Sequence, residues 1–156
     1  MSAPRYLFEW RARRSSDRGR GVRMARRLWL LLPALLLYSA DISFTLAGQP
    51  AAYWAGDHSQ PAEHNPLAHF LLRQHPALFA GAAGAWAVAF SAIVVLWRHR
   101  VSDWTATLLA FGHAIGGSTW LARHGPGGWA LAVAYLALAA AFSRAGWRRA
   151  ERPPGA

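Results

Sequence analysis

The chain contains no cysteine and no lysine, and only seven of its 156 residues are acidic. Without cysteine, disulfides, thiolate zinc sites and cysteine nucleophiles are excluded, whichever compartment the loops face. Two motifs that would name a reaction are also missing. No His-Glu-x-x-His occurs, and Gly116-Gly117-Ser118 lacks the Gly-x-Ser-x-Gly elbow of serine hydrolases, with no base assigned to Ser118. A net charge of +10 in a soluble chain would suggest nucleic acid. Here, however, 54% of the residues are hydrophobic and lie in blocks too long and too uncharged for a soluble fold. The composition is that of a membrane protein, and the length fits one domain.

Residues 28–47 form a block of twenty with Asp41 as its only charge, and residues 77–97 a block of twenty-one with none. Residues 104–122 form a block of nineteen whose one ionisable group is His113, and 129–147 form a fourth with Arg144 near its end. A span needs ~20 residues at 1.5 Å each. The fourth block is strictly apolar only to Phe142 and relies on Arg144 reaching back to the interface along its stem. The expectation is an all-α polytopic membrane protein with four transmembrane helices over 28–147.

Tryptophan supports the same parsing, because indole rings prefer the headgroup level and mark the ends of spans. Trp29, Trp97, Trp104 and Trp147 lie at ends that share one face, and Trp54, Trp120 and Trp129 lie at or near the other. Only Trp86 and Trp10 fall elsewhere. Arginine sets the orientation. Of 17 basic residues, nine precede the first span, two flank His99 in the turn between spans two and three, and four follow Phe142. Only Arg73 and Arg123 lie on the other side. This positive-inside bias places both termini in the cytoplasm and turns loops 48–76 and 123–128 outward.

Residues 1–27 are basic, contain Ser and Gly and show no apolar periodicity, so a disordered cytoplasmic tail is expected, attracted to anionic headgroups rather than to nucleic acid. Residues 148–156 form the second tail. Met24-Ala25-Arg26-Arg27 reads as a compact start of its own, with 1–23 as an extension, and Arg26-Arg27 is only a partial twin-arginine pattern.

The outer loop concentrates the reactive side chains: Asp57, His58, Glu63, His64, His69 and His75. Asn65-Pro66 reads as an N-cap followed by proline at the first helical position, opening a short interfacial helix that His75-Pro76 interrupts. In that helix Leu67, Phe70 and Leu71 would face the bilayer while His69 and Arg73 share the polar side. Glu63 would lie just before the helix N-terminus, where the macrodipole favours its ionised form.

Asp41 is the most informative residue, because a carboxylate in hydrocarbon costs at least ~2.5 kcal/mol and is normally retained inside a bundle with a partner. Tyr38, Asp41, Thr45 and Gln49 follow steps of three, four and four, so they form one polar stripe on the outer half of the first span. The expected partner is His113. At 1.5 Å per residue, Asp41 lies ~9 Å and His113 ~14 Å below the outer ends of their spans. On the third span His113, Gly117, Trp120 and His124 share a stripe. Gly112 and Gly116 form a small-xxx-small pair for close helix approach, as do Gly81 and Gly84 on the second span.

These residues carry several readings. The simplest is a buried hydrogen-bonded pair that fixes helix register. A metal site would draw zinc or iron ligands from Asp41, Glu63, His64, His69 and His113 if the loop folds over the bundle mouth, and a metal-dependent hydrolase would use Glu63 as base on a bound water. A proton or ion relay would use the Asp-His pair, although one Asp and one His are few for a conduction path. A b-type haem would need two histidines at bilayer depth, and only His113 is clearly there. A non-enzymatic accessory or assembly subunit would instead bind a membrane-protein partner, or a second copy, through loop residues Pro50, Tyr53, Trp54 and Pro61.

Asp41-x-x-x-Thr45, Glu63-x-Asn65-Pro66 and His113 together resemble the pattern of some small, uncharacterised bacterial multipass inner-membrane proteins. The resemblance covers roughly residues 35 to 120, implies placement in the bacterial inner membrane, and carries no reaction. The expected site is therefore a polar pocket open to the outer side and lined by Asp41, Thr45, Glu63, Asn65 and His113.

Overall fold

The computed structural model describes residues 5–97 and 99–151. Six helices follow one another: α1 (Arg5–Ala47), α2 (Ala51–Trp54), α3 (Pro66–Gln74), α4 (Pro76–Leu96), α5 (His99–Ala122) and α6 (Gly125–Glu151). Among the described residues every regular element is helical. Three helices contain stretches long and apolar enough to cross a membrane, Met24–Ala47 of α1, all of α4, and α6. Arg144 does not remove α6 from this set. The helix outside it is α5, whose Gly112, His113, Gly116, Gly117, Ser118 and Thr119 dilute its apolar character.

Of the expected tails, residues 1–4 and 152–156 lie outside the described residues. The backbone of 5–27 is helical and continuous with the first apolar segment, where composition suggests an irregular tail. The physical reason is local. Arg, Ala, Leu, Met and Glu favour helix, and extending an existing helix needs no new nucleus. Likewise α6 runs on to Glu151 instead of stopping at 147.

The four long helices pack together, with α5, like α1, in contact with each of the other three. The position of α5 follows from its sequence. Ser102, Ala106, Ala110, Ala114 and Ser118 recur every four residues and are all buried, a small-residue seam that lets neighbouring backbones approach. Val101, Trp104, Leu108, Phe111 and Ile115 lie on the opposite face and are exposed. Leu30, Leu31 and Tyr38 of α1 share a cluster with Phe90 and Val94 of α4 and Ala106 of α5, while Ala34 and Leu37 join Ala110, Ala114 and Ala139. On α6, Gly146 permits contact with α1. A Cβ there would stand 2.7 Å from both Pro33 Cγ and the Trp29 carbonyl oxygen.

Two arginines close the Arg-rich end. Arg26 Nη2 pairs with Asp103 Oδ2 at 2.9 Å, joining α1 to α5. Arg27 donates to the carbonyls of Val95 and, at 2.6 Å, Trp97, so a cation sits where α4 presents unsatisfied carbonyls.

At the other end the loop is held by specific contacts. Asn65 caps α3, its Oδ1 accepting from Leu67 N at 3.0 Å and Ala68 N at 3.2 Å with Pro66 next, as the sequence suggests. The device repeats at α4, where His75 Nδ1 accepts from Ala77 N at 3.1 Å ahead of Pro76. Tyr53 is fully buried, donates to the Leu72 carbonyl at 3.1 Å, and packs in a cluster with Leu72 and Phe79. Within α3, Leu67 and Phe70 are exposed, but Leu71 packs against that cluster and His69 turns inward, unlike the expected division of faces. The α5–α6 turn needs Gly125, whose φ of +74° L side chains rarely adopt.

Candidate functional site

Asp41 of α1 and His113 of α5, 72 residues apart, meet at 2.8 Å between Oδ2 and Nδ1. The contact depends on glycine. A Cβ at position 116 would stand 2.6 Å from Asp41 Oδ2, so only glycine lets the carboxylate lie this close to the α5 backbone. The neighbouring Gly117 serves α6 in the same way, because its missing Cβ leaves room for the Tyr135 ring. Tyr38 meets the His113 ring edge-to-face at 4.6 Å between centroids, while its hydroxyl donates to the Ala83 carbonyl of α4 at 2.7 Å. The imidazole is therefore fixed by two side chains of α1. With Nδ1 donating to the carboxylate, Nε2 is the ring's remaining hydrogen-bonding atom.

The pair lines a cavity of about 540 Å³ at the end of the bundle opposite Arg26 and Arg27. Thr45, Glu63, His64, Asn65, Thr119 and Arg123 also line it. All five residues expected in a polar pocket, Asp41, Thr45, Glu63, Asn65 and His113, thus border one space. The stripe of α1 faces inward: Tyr38, Thr45 and Gln49 are buried, and Gln49 donates to the Thr45 carbonyl at 2.7 Å while accepting from Ala62 N at 2.9 Å. Gln49 thereby ties the loop to the end of α1.

The expected metal ligands do not gather. Among the described residues no three His, Asp or Glu side chains are grouped to hold an ion. Asp41 and His113 bond to each other, and Glu63 Oε1 accepts from His64 N at 2.8 Å and Asn65 N at 2.7 Å. His69 lies apart, its Nδ1 donating to the Glu63 carbonyl at 3.0 Å. Of the five candidate ligands, Asp41 and His113 thus form a hydrogen-bonded pair, Glu63 Oε1 belongs to a local loop turn, and Asp41, Glu63, His64 and His113 border one cavity.

Sequence reading missed Arg123, Trp120 and Thr119 as site residues. Arg123 lies over the Trp120 ring at 3.8 Å and donates to the Ala62 carbonyl at 2.9 Å, and Trp120 fills the notch at Gly48. Steps of three and four from His113 through Gly116 to Thr119 or Trp120 and on to Arg123 were the available signal. The glycine readings also divide. Gly116 packs as expected of a close approach, whereas Cβ atoms on Gly112, Gly81 and Gly84 would meet nothing within 4 Å.

Comparison with protein-family models, curated proteins and solved structures finds no match for this chain.

Proposed function

We propose that the chain is a four-span protein of the bacterial inner membrane, with α5 as the fourth span and both termini cytoplasmic, whose cavity binds a small polar ligand. His113, oriented by Asp41, is the group that accepts a hydrogen bond or a proton from that ligand. The observation that carries the pocket is the incomplete burial of the pair: His113 and Asp41 keep 22% and 15% of their side-chain surface exposed while lining the cavity. A carboxylate retained only to fix helix register would favour full enclosure, since each residual contact with the membrane interior is costly.

The α5 span is supported by its two faces. Its 24 residues reach ~36 Å, more than the hydrocarbon needs. The exposed stripe from Val101 to Ile115 suits lipid, while the polar and small residues that lower its overall apolarity are turned toward other helices or the cavity. Arginine distribution supports the orientation, and the exposed Leu67 and Phe70 support an interfacial α3.

Because the chain has no cysteine, single substitutions report topology directly. In intact cells an impermeant maleimide is expected to label Ser59→Cys and Gly127→Cys, and Arg100→Cys only after permeabilisation. Labelling of positions 100 and 127 from the same side would exclude α5 as a span. For the pocket, native mass spectrometry of gently extracted protein is expected to show a bound small molecule in the wild type that is lost in Asp41→Asn and His113→Gln with unchanged helicity. Equal adduct patterns in all three would defeat the pocket reading.

A second reading, a subunit that associates with another membrane protein or with its own copy, is favoured by α4. Gly81, Gly84 and Ala85 lie exposed on it without neighbours at the glycines. Gly81→Leu with Gly84→Leu is then expected to reduce the complex size in native electrophoresis.

A further inference from the structure

The cavity is open along its flank as well as at its mouth. On α5 its wall is the row Gly112, Gly116, Thr119 and Arg123, of which Gly112, Thr119 and Arg123 are exposed. The α4 helix leaves part of this row open. Its Phe90 and Val94 share a cluster with Ala106 in the Arg-rich half of the bundle, while in the other half Phe79 packs with Tyr53 and Leu72 and lines the cavity from the α4 side. A Cβ on Gly112 would meet nothing within 4 Å. The result is a slot ~10 Å long between α4 and α5, running from Thr119 down to Gly112. It lies beside the exposed apolar side chains Phe111 and Ile115. In a bilayer such a slot faces lipid tails, while its floor is the Asp41–His113 pair.

The charges on the cavity wall are unequal. Asp41 and Glu63 supply two carboxylates, against the single guanidinium of Arg123, which already donates to the Ala62 carbonyl and lies over Trp120. The wall thus carries fixed groups of both signs, in a setting where water screens little and electrostatic preference is strong. A cationic group is favoured beside the two carboxylates, and an anionic group beside Arg123.

We propose that the pocket takes the zwitterionic head of an amphiphile that enters sideways from the membrane, its ammonium toward Asp41 and Glu63 and its phosphate toward Arg123, with the acyl chains remaining outside the slot along α5. This inference rests on the binding-pocket reading above and names its ligand class.

The full chain in non-ionic detergent is titrated with dioctanoyl phosphatidylethanolamine, dioctanoyl phosphatidylglycerol and free phosphoethanolamine, and adducts are counted by native mass spectrometry. The expected result is saturable binding of the ethanolamine lipid at a concentration roughly tenfold below the other two, the scale of one charge-assisted hydrogen bond. Asp41→Asn and Glu63→Gln are each expected to weaken it by about the same factor. Gly112→Leu, in open space on the helix, should abolish lipid binding while the melting temperature stays unchanged.

Equal binding of the glycerol lipid would overturn the charge assignment, and equal binding of free phosphoethanolamine would overturn lateral entry. No binding of the ethanolamine lipid overturns the inference as a whole. An adduct of different chemistry, present in the wild type and absent from Asp41→Asn, would also overturn it while leaving the pocket standing. No difference between wild type and Asp41→Asn for any adduct would remove both.

Discussion

The carboxylate of Asp41 occupies the space in which a side chain at Gly116 would begin, with only 2.6 Å between Oδ2 and the position of a Cβ there. One residue supplies a charge from α1, and the other supplies its absence of side chain from α5. Together they place the carboxylate on His113 and fix the approach of two helices.

Gly116→Ala is therefore expected to destabilise the protein by ~1–3 kcal/mol, the usual cost of forcing volume into a packed contact. It should also remove any ligand that depends on the pair. Gly112→Ala, one turn earlier and in open space, is expected to be neutral or to stabilise by up to ~1 kcal/mol through helix propensity. Reversible unfolding in mixed detergent micelles separates the two. Equal effects would show that Asp41 does not press on α5.

The two halves of the Asp41–His113 pair should not be equivalent. His113→Ala leaves an unpartnered carboxylate within the bundle and is expected to cost ~3–5 kcal/mol. Asp41→Ala leaves the imidazole Nδ1 without its carboxylate partner and should cost ~1–3 kcal/mol. The double variant should be less destabilised than the sum. Strict additivity in the same unfolding assay would mean that the two groups do not interact.

Burial of the Tyr53 phenol, in the segment between α1 and α3, pushes its pKa above the usual tyrosine value of 10.0. A group whose folded pKa is raised contributes stability that is fully present below the unfolded pKa and is lost as pH rises through the folded one. The loop cluster of Tyr53, Leu72 and Phe79 is thus expected to loosen only in strong alkali, above about pH 10. Tyr53→Phe should flatten that alkaline limb at the expense of the 3.1 Å bond to the Leu72 carbonyl. Absorbance of tyrosinate against that of the variant, followed with near-ultraviolet dichroism, measures it. Loosening that begins near neutral pH in both proteins would assign the transition to another group.

Asn65 holds the start of α3 by accepting two backbone N–H bonds, so Asn65→Ala is expected to cost ~1 kcal/mol. Asn65→Asp should be tolerated, because a carboxylate also caps and suits the positive end of the helix. Hydrogen exchange of the Leu67 and Ala68 amides reports the change locally. Unaltered protection in Asn65→Ala would show that Pro66 alone sets the helix start.

Much of this molecule is legible from local pattern. Uncharged blocks of about twenty residues specify membrane helices because backbone groups in hydrocarbon must be satisfied within the segment. Asn65-Pro66 specifies a helix start because capping involves residues two or three apart. Asp41 stands out because any carboxylate in an apolar block needs a reason, and spacing alone placed Tyr38, Thr45 and Gln49 on its face. The gathering of Glu63 and Asn65 toward Asp41 and His113 was an expectation of depth and loop reach that only the folded loop could realise. Other features depend on which helix lies where. By spacing Gly112 and Gly116 are equivalent partners four residues apart, yet only a Cβ on the second would meet another helix within 4 Å. Of the five candidate ligands only Asp41 and His113 bond to each other, since Glu63 Oε1 accepts from its own backbone neighbours and His69 donates to the Glu63 carbonyl. The three long apolar helices, the caps and the isolated charges were determined by the sequence itself, through interactions within a few residues. The seam of α5, the use of each glycine, the place of Arg123 and the slot beside the pair were decided by tertiary structure, because each depends on the distance between helices that the chain brings together only when it folds.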